Sequence, residues 1–406
     1  MEQCRLSDEA LNLVIDLGKQ PLGNGFLSPN QIPEEYFFQL QCGFNEQSKL
    51  LQLINQPDPQ LMFHENYAFF SSTSRGMQSH FSDFANRVIS EYNLLPKSDL
   101  VVEIGCNDGI FLENFAEKDF RHIGVEPSGE VARMAERKGI NVINEFFGSE
   151  ISKTMEAQNG KAKLIYAANV FCHIPAIKDL LKGIDLLLDI DGLVIFEDPY
   201  LGDIVERNSY DQIYDEHVFF FSALAVAEIF SEIDMELIDC ESLPVHGGSM
   251  RYTLARSGKF DIKPRVQEVK SKELSRGLHL SSTFIQLSER IAKSKFDLRN
   301  ELLTLKKDGV AVCAYGATSK STTIYNYCDI NSDLVDVIFD NSPLKIGKLS
   351  PGSHIPIIDE SEFLTSSYKV AFLGAWNHKN EIFERNSSFV ARDGKWLTHV
   401  PNVKYL

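Results

Sequence analysis

The stretch Leu100-Val-Val-Glu-Ile-Gly-Cys-Asn-Asp-Gly109 decides the fold. Apolar residues run into an acid, and a glycine-punctuated turn follows at once. A buried parallel strand delivers a ligand loop at the carboxyl end of a sheet in this way. Downstream, Ile110-Phe-Leu-Glu-Asn-Phe115 has helix-compatible apolar spacing, and His122-Ile-Gly-Val-Glu126 reads as a second short strand ending on a carboxylate. Glu126 lies 17 positions after Gly109 (126 − 109), close to the interval of about 20 at which a second strand sets an acid against ribose hydroxyls. Glu126 is therefore assigned to a ribose.

The motif Glu103-x-Gly105-x-x-x-Gly109 differs from Gly-x-Gly-x-x-Gly, the pyrophosphate fingerprint of dinucleotide enzymes. Its acid precedes the first glycine, where it can meet an amino-acid ammonium group, and it has fewer glycines against which a diphosphate could pack. The spacing favours S-adenosylmethionine over NAD. Glu103, Gly105, Asn107, Asp108 and Gly109 are the expected cofactor loop, with Asn169 at the end of the strand Lys163–Asn169 beside it.

Working outward, the chain alternates strand and helix as a doubly wound sheet does. Expected helices fall at 79–93, 131–138, 177–188 and 223–233, and expected strands at 142–143, 163–169 and 193–197. An antiparallel pair at 236–242 and 250–256 closes the unit. Residues 1 to about 65 hold many Pro and Gly and no long periodic helix, which predicts a small turn-rich module. Residues 258–307 predict a long helix packed on one side, through Leu280, Phe284, Leu287, Ile291, Phe296, Leu302 and Leu305. A second strand-turn-helix unit begins at Val310-Ala-Val-Cys-Ala-Tyr-Gly316, and its helix opens on Thr318-Ser-Lys-Ser321, a favourable place for phosphate. The expected division is 1–70, 71–258, 259–308 as helical linker, and 309–406. The fold class is α/β: a Rossmann-like class I methyltransferase core between a small N-terminal module and a second Rossmann-like domain.

Bulk properties restrict the function classes. The 406 residues are 43% hydrophobic and 24% charged, as expected of a soluble globular protein of two or three domains. A net charge of −17 argues against nucleic acid as a partner, since a phosphate backbone is held by clustered Lys and Arg. No apolar run is long enough for a membrane span, and the N-terminus lacks the features of a signal peptide, so the expected location is the cytosol. The seven cysteines are expected to be reduced thiols. Cys4 and Cys42 each head a Cys-x-x-polar step, with Ser7 and Asn45 where a zinc site would have cysteine. Zinc is disfavoured on these residues, because four soft ligands complete its shell.

Taken together, Glu-Ile-Gly-Cys-Asn-Asp-Gly109, Gly-Val-Glu-Pro-Ser128, Asn-Val-Phe-Cys-His173, Ile-Tyr-Asp-Glu-His217, His-Gly-Gly-Ser-Met-Arg251, Tyr-Gly-Ala-Thr-Ser-Lys320 and Pro-Gly-Ser-His-Ile-Pro356 resemble the sugar C-methyltransferases. These act on nucleotide-linked 4-keto-deoxysugars. The resemblance covers nearly the whole chain and implies transfer of a methyl group from S-adenosylmethionine to a ring carbon next to a ketone, C3 being the expected position. Asn107, odd in a general methyltransferase, is expected in this family. The family's N-terminal module carries four zinc cysteines, of which only Cys4 and Cys42 are read as retained.

Carbon methylation needs an enolate, hence a base, a donor for the enolate oxygen and a held geometry. Tyr214-Asp215-Glu216-His217 supplies the residue types. His217 is the expected base because imidazole titrates near neutrality. Tyr214 is expected to bond the carbonyl or enolate oxygen, and Glu216 to orient the imidazole or a sugar hydroxyl. The resemblance places the same tyrosine, acid and histidine in the sugar site, adds His173 at the reacting centre, and closes Tyr67 over cofactor or sugar. Asp215 stands where the family often has a second histidine. For the nucleotide end, Arg251, Ser319, Lys320, Lys345 and His354 are the expected substrate contacts. The partner is thus a nucleotide-diphosphate keto sugar and the chain a monomer or homodimer; O- or N-methylation, or binding without turnover, is the alternative.

Overall fold

A computed structural model describes residues 2–62 and 75–406. Three sheets organise the chain. The first begins with β1 (Asn12–Pro21), β2 (Phe37–Asn45) and β3 (Leu50–Leu53), joined antiparallel in sequence order.

The central sheet is built from β4 (Leu100–Ile104), β5 (Arg121–Val125), β6 (Val142–Ile143), β7 (Ala162–Ala168) and β8 (Leu188–Pro199), all parallel. Every residue of β4 is buried, which is why its sequence runs apolar without alternation. The next strand, β9 (Phe219–Phe220), leaves this sheet and pairs with β3. β10 (Met235–Leu243) and β11 (Ser249–Arg256) then close the central sheet antiparallel against β8, as the sequence predicts. The order β10-β11-β8-β7-β4-β5-β6 reverses at β4, so the carboxyl ends of β4 and β7 frame the crevice in which ligands of open α/β sheets sit.

The third sheet contains β12 (Val312–Tyr315), β13 (Ile338–Asp340), β14 (Ile357–Asp359), β15 (Val370–Leu373), β16 (Lys395–Thr398) and the antiparallel edge β17 (Lys404–Tyr405). Its order, β14-β13-β12-β15-β16-β17, reverses at β12, directly before the Gly316 turn. Both glycine turns therefore occupy a switch point.

The sheets share their interiors. One apolar cluster joins Val14, Ile15 and Phe44 of the first sheet to Ala314 and Phe372 of the third. Another joins Cys4 and Leu50 to the central strands. Each fully buried Phe or Leu in them contributes about 1.5–3 kcal/mol, so the small N-terminal sheet is held by its neighbours' surfaces as well as its own.

The predicted long helix is two helices, Pro264–Ser275 and Ser281–Lys307. Gly277 breaks the run at φ +71. Phe284, Leu287, Ile291 and Leu302 are buried as expected, but Phe296 faces outward at 66% exposure. The sequence pattern assigned it to the wrong side. No helix among the described residues is long and apolar enough to cross a membrane.

Candidate active site

The crevice at β4 and the Gly316 turn open into one cavity of about 1450 Å³. That exceeds the roughly 300–1,000 Å³ of an ordinary small-molecule site, so there is room for two ligands side by side.

On the central-sheet wall, Gly105 turns the chain at φ +68, and a Cβ there would stand 2.4 Å from the Val170 side chain. Only glycine lets the loop pass this close. Glu103 is 3% exposed, lines the cavity, and leaves its Oε2 without a hydrogen-bond partner among the described residues. Burial and the nearby Glu126 raise its pKa well above the usual carboxylate range. Glu126 accepts the amide of Asn107 on Oε2 at 3.0 Å and the amide of Ser128 on Oε1 at 2.9 Å, which fixes the loop to the second strand while leaving further acceptor capacity on each oxygen. Asn107 sits at φ 48 and Asn169 at φ 53, the left-handed region that asparagine tolerates.

Asp108 and Gly109 do not join them. Asp108 turns behind the loop, 3.6 Å from the Lys138 ammonium, and Gly109 packs against Ile140 and Ala135; neither lines the cavity. The turn needs one residue row facing the ligand and one facing the sheet, and these two belong to the second. Tyr67 lies outside the described residues.

Opposite the loop, Gln212 to His217 form the chemical core. His217 is 3% exposed. Its Nδ1 lies 2.8 Å from the Gln212 carbonyl and its Nε2 2.7 Å from the Tyr214 hydroxyl. A carbonyl can only accept, so Nδ1 carries the proton and Nε2 presents its lone pair to the tyrosine. Burial, His173 and Lys320 hold the His217 pKa well below its usual value, so the ring is neutral. The His173 ring is stacked on it at 5.3 Å, its own pKa lowered to about 4 by burial. Cys172, His173 and His217 bring metal-ligating atoms within 4.8 Å of one another, but both nitrogens of His217 are engaged as described.

Glu216 accepts a hydrogen bond from the Asn24 side chain at 2.6 Å, and Asp215 accepts from the Gly23 amide at 3.0 Å. The Thr322 hydroxyl holds the Gly23 carbonyl at 3.0 Å, and that of Thr323 holds the Ile213 carbonyl at 3.1 Å. The loop that carries the histidine is thus gripped by the first sheet and by the helix Ser319–Tyr327 of the third. Asp215 faces the Gly23 turn, and its carboxyl pKa is raised by burial and by Glu216. Beneath His173, Asp198 accepts the Cys172 amide at 3.1 Å; burial pushes its pKa up to about 7.

The third-sheet wall brings Ser319, Lys320 and Lys345 to the cavity. Burial lowers the Lys320 pKa, the condition of a cation prepared for an anionic ligand. Lys345 is partly committed: its ammonium donates to the Ala317 carbonyl at 2.7 Å.

Two expected contacts are corrected. Arg251 is 5% exposed, bonded to Glu197 and Glu241 at 2.6 and 2.9 Å, and lies 3.6 Å from the Phe84 ring centre. It lines a separate small hollow with His80. Glu197, whose burial alone would raise its pKa, is held down at about 2 by His80 and Arg251. Breaking such a buried pair costs about 3–5 kcal/mol, so Arg251 is structural. His354 pairs with Glu35 at 2.7 Å and is absent from the cavity wall.

Asn24 and His246 were missed. The first stands in a Gly-Asn-Gly turn that reads as punctuation. His246 lines the cavity with its pKa lowered to about 3 by burial and by Lys320, and the Gly-Gly step after it was the available signal.

Residues 75–239 match the model of a methyltransferase domain, and 244–401 that of a C-methyltransferase C-terminal domain. Residues 4–63 match the model of a proposed zinc binding domain. The chain belongs to the S-adenosylmethionine-dependent C-methyltransferases. It is 27% identical over 410 residues to the C-methyltransferase NovU of Streptomyces niveus, across 100% of this chain and 97% of that one. Among solved structures, the magnesium protoporphyrin IX methyltransferase of Synechocystis aligns at a TM-score of 0.34 and 14% identity, over 45% of this chain and 80% of that chain. A methyltransferase from Clostridium acetobutylicum aligns at 0.35 and 15%, over 45% and 92%.

The cofactor of this C-methyltransferase fits the residues present. The orphaned Glu103 oxygen suits an ammonium group and Glu126 a ribose diol. Zinc does not fit. In the C-methyltransferase's first sheet, Cys42 is fully buried among apolar residues, whereas Cys4 meets Ser48 at 3.3 Å and Ser48 donates to Asn45 at 2.9 Å. The two steps that converge are therefore Cys4-x-x-Ser7 and Asn45-x-x-Ser48, with a single thiol between them. Cys42, expected as a remaining member of the family's cysteine set, instead points from β2 into the core, and hydrogen bonds join Cys4 to the Asn45-x-x-Ser48 step.

Proposed function

We propose that this C-methyltransferase acts on a nucleotide-diphosphate 4-keto-deoxysugar, placing the methyl group on the ring carbon beside the ketone, at C3. One observation carries the reading: the His217–Tyr214 pair opens onto the same cavity as the Glu103 loop and the Lys320 wall. Bound S-adenosylmethionine supplies an electrophilic methyl group on sulfur. The chain does the rest. The unprotonated Nε2 of His217 takes the proton from the ring carbon, and the Gln212 carbonyl stabilises the imidazolium through Nδ1. The Tyr214 hydroxyl, released from Nε2 as that proton arrives, turns to the enolate oxygen. Such preorganised donation is worth about 3–4 kcal/mol in the transition state. With S-adenosylmethionine held by Glu103 and Glu126, the enolate carbon would take the methyl group while the electron pair of the broken bond would stay on sulfur, and His217 returns its proton to solvent.

Glu216, held by Asn24, orients a sugar hydroxyl; His173 packs against the imidazole and limits its rotation. Ser319 and Lys320 take the diphosphate, and Lys345 supports that wall. Incubation with methyl-labelled S-adenosylmethionine and a 4-keto-6-deoxy sugar nucleotide should give labelled sugar, with deuterium washout at the same carbon when the methyl donor is left out. Label on oxygen or nitrogen, with no washout, would overturn the proposal.

A further inference from the structure

The helix Ser281–Lys307 buries one side in the shared core and leaves the other to solvent. On that outer side stand Ile285 at 50% exposure, Phe296 at 66% and Leu303 at 43%, with Ala292 also exposed. Their spacings of seven, four and seven residues keep all four within about 20° of one line at roughly 100° per residue. An apolar stripe about 27 Å long on the face away from the core is not required for this fold.

The order along the stripe is informative. Ile285 and Leu303 lie nine residues either side of Ser294, Glu289 and Arg299 five, and Ala292 and Phe296 two. Glu289 is exposed and has no ion-pair partner among the described residues, while Arg299 is partly exposed. Turned end for end, the pattern maps each apolar residue on an apolar one, the largest side chain on the smallest, and the acid on the base. A surface that complements its own inverted copy is what a two-fold interface requires.

We propose that this face joins two copies of the chain, helix against helix and antiparallel, about a two-fold axis that crosses the outer face at the level of Ser294, whose own side chain points to the core. Ile285 of each copy then meets Leu303 of the other, Phe296 fills the space over Ala292, and Glu289 pairs with Arg299 on both sides. A stripe nearly parallel to the axis suits a shallow crossing of about 20°. One helix pair falls below the roughly 1,200–2,000 Å² of a standard interface, so the dimer is reversible and forms with concentration. The cavity lies outside this stripe, so both active sites stay open.

Sedimentation equilibrium from roughly 1 to 200 µM should show a monomer–dimer equilibrium. Phe296→Glu should raise the dissociation constant at least tenfold, and Glu289→Arg or Arg299→Glu several-fold each. The two charge reversals combined should bring it back near the wild-type value, because each interface again pairs opposite charges. Arg299 also donates to the Cys328 carbonyl at 3.2 Å, so a second measurement guards against misfolding. Under mild oxidation, Ile285→Cys/Leu303→Cys should give a covalent dimer whose peptides link position 285 of one copy to 303 of the other. The seven native cysteines are buried and should stay out of that reaction. A wild type that is monomeric throughout overturns the proposal and leaves the stripe to an unlike partner. A dimer indifferent to Phe296→Glu, or cross-links of 285 to 285 alone, overturns the antiparallel register.

Discussion

The two glycine turns of this C-methyltransferase are built to the same plan and prepared for opposite charges. After β4, Glu103 and Glu126 stand buried together, burial and Glu126 raising the cost of ionising Glu103, and one Glu103 oxygen has no partner among the described residues. After β12, Asp340 corresponds to Glu126 and accepts the amides of Ala317 and Ser342 at 2.7 and 2.8 Å in the same way, while Ala314 stands where the first turn has Glu103. What remains at that turn is Lys320, buried, with its pKa lowered. At the first turn the group without a hydrogen-bond partner among the described residues is an acid, and at the second the group turned to the cavity is a lysine. A strand, a glycine and a helix make the cradle; the charge left unpaired in it selects the ligand.

The largest predicted effect lies between the two turns. His217→Asn should lower kcat by about 10²–10⁴-fold with S-adenosylmethionine affinity changed less than twofold by calorimetry; loss of cofactor binding would mean that the histidine supports the cofactor turn instead. For the wild type, protonation of His217 removes the base. Because its pKa is depressed, the acid limb of kcat/KM should fall below pH 6.5, with a plateau above.

The comparison itself is tested by a crossed pair. Glu103→Gln should weaken S-adenosylmethionine by about 30-fold, roughly 2 kcal/mol for a lost charged hydrogen bond, and leave the sugar nucleotide alone. Lys320→Met should do the reverse. Equal losses of both ligands in either variant would break the assignment of one charge to each turn.

A smaller effect is expected at the first sheet. Asn24→Ala removes the donor to Glu216 and should cut kcat/KM about tenfold, near 1.4 kcal/mol. The loss should appear in kcat for the sugar with the cofactor's KM unchanged, which a general loosening of the fold would not produce. Last, a chelator should leave the Tm unchanged within about 1 °C, since one thiol among Cys4, Ser7, Asn45 and Ser48 does not hold zinc; a clear drop on chelation would return a metal to the module.

Local sequence made the cofactor loop and the His217 cluster legible, because a strand that enters a turn and a tetrapeptide of reactive residues are both contiguous. It misled where a side chain's direction depends on another element. Arg251 read as a phosphate ligand until Glu197 and Glu241 were beside it. His354 read the same way until Glu35 was. Cys42 looked like half of a metal pair because its spacing to Asn45 matched, yet the pleat of β2 turns it inward. Phe296 was expected beside the buried Phe284, Leu287, Ile291 and Leu302, yet at roughly 100° per residue it falls on the opposite side with the exposed Ile285 and Leu303.

The sequence by itself determined the two parallel-sheet units, the methyl donor and the residue types for carbon-acid chemistry, since periodicity and short motifs are properties of consecutive residues. Tertiary structure alone decided which charges remain free. Pairing is set by neighbours tens to hundreds of positions away, as Asn24 is from Glu216, and a buried group's charge and reach depend on what fills the few ångströms around it.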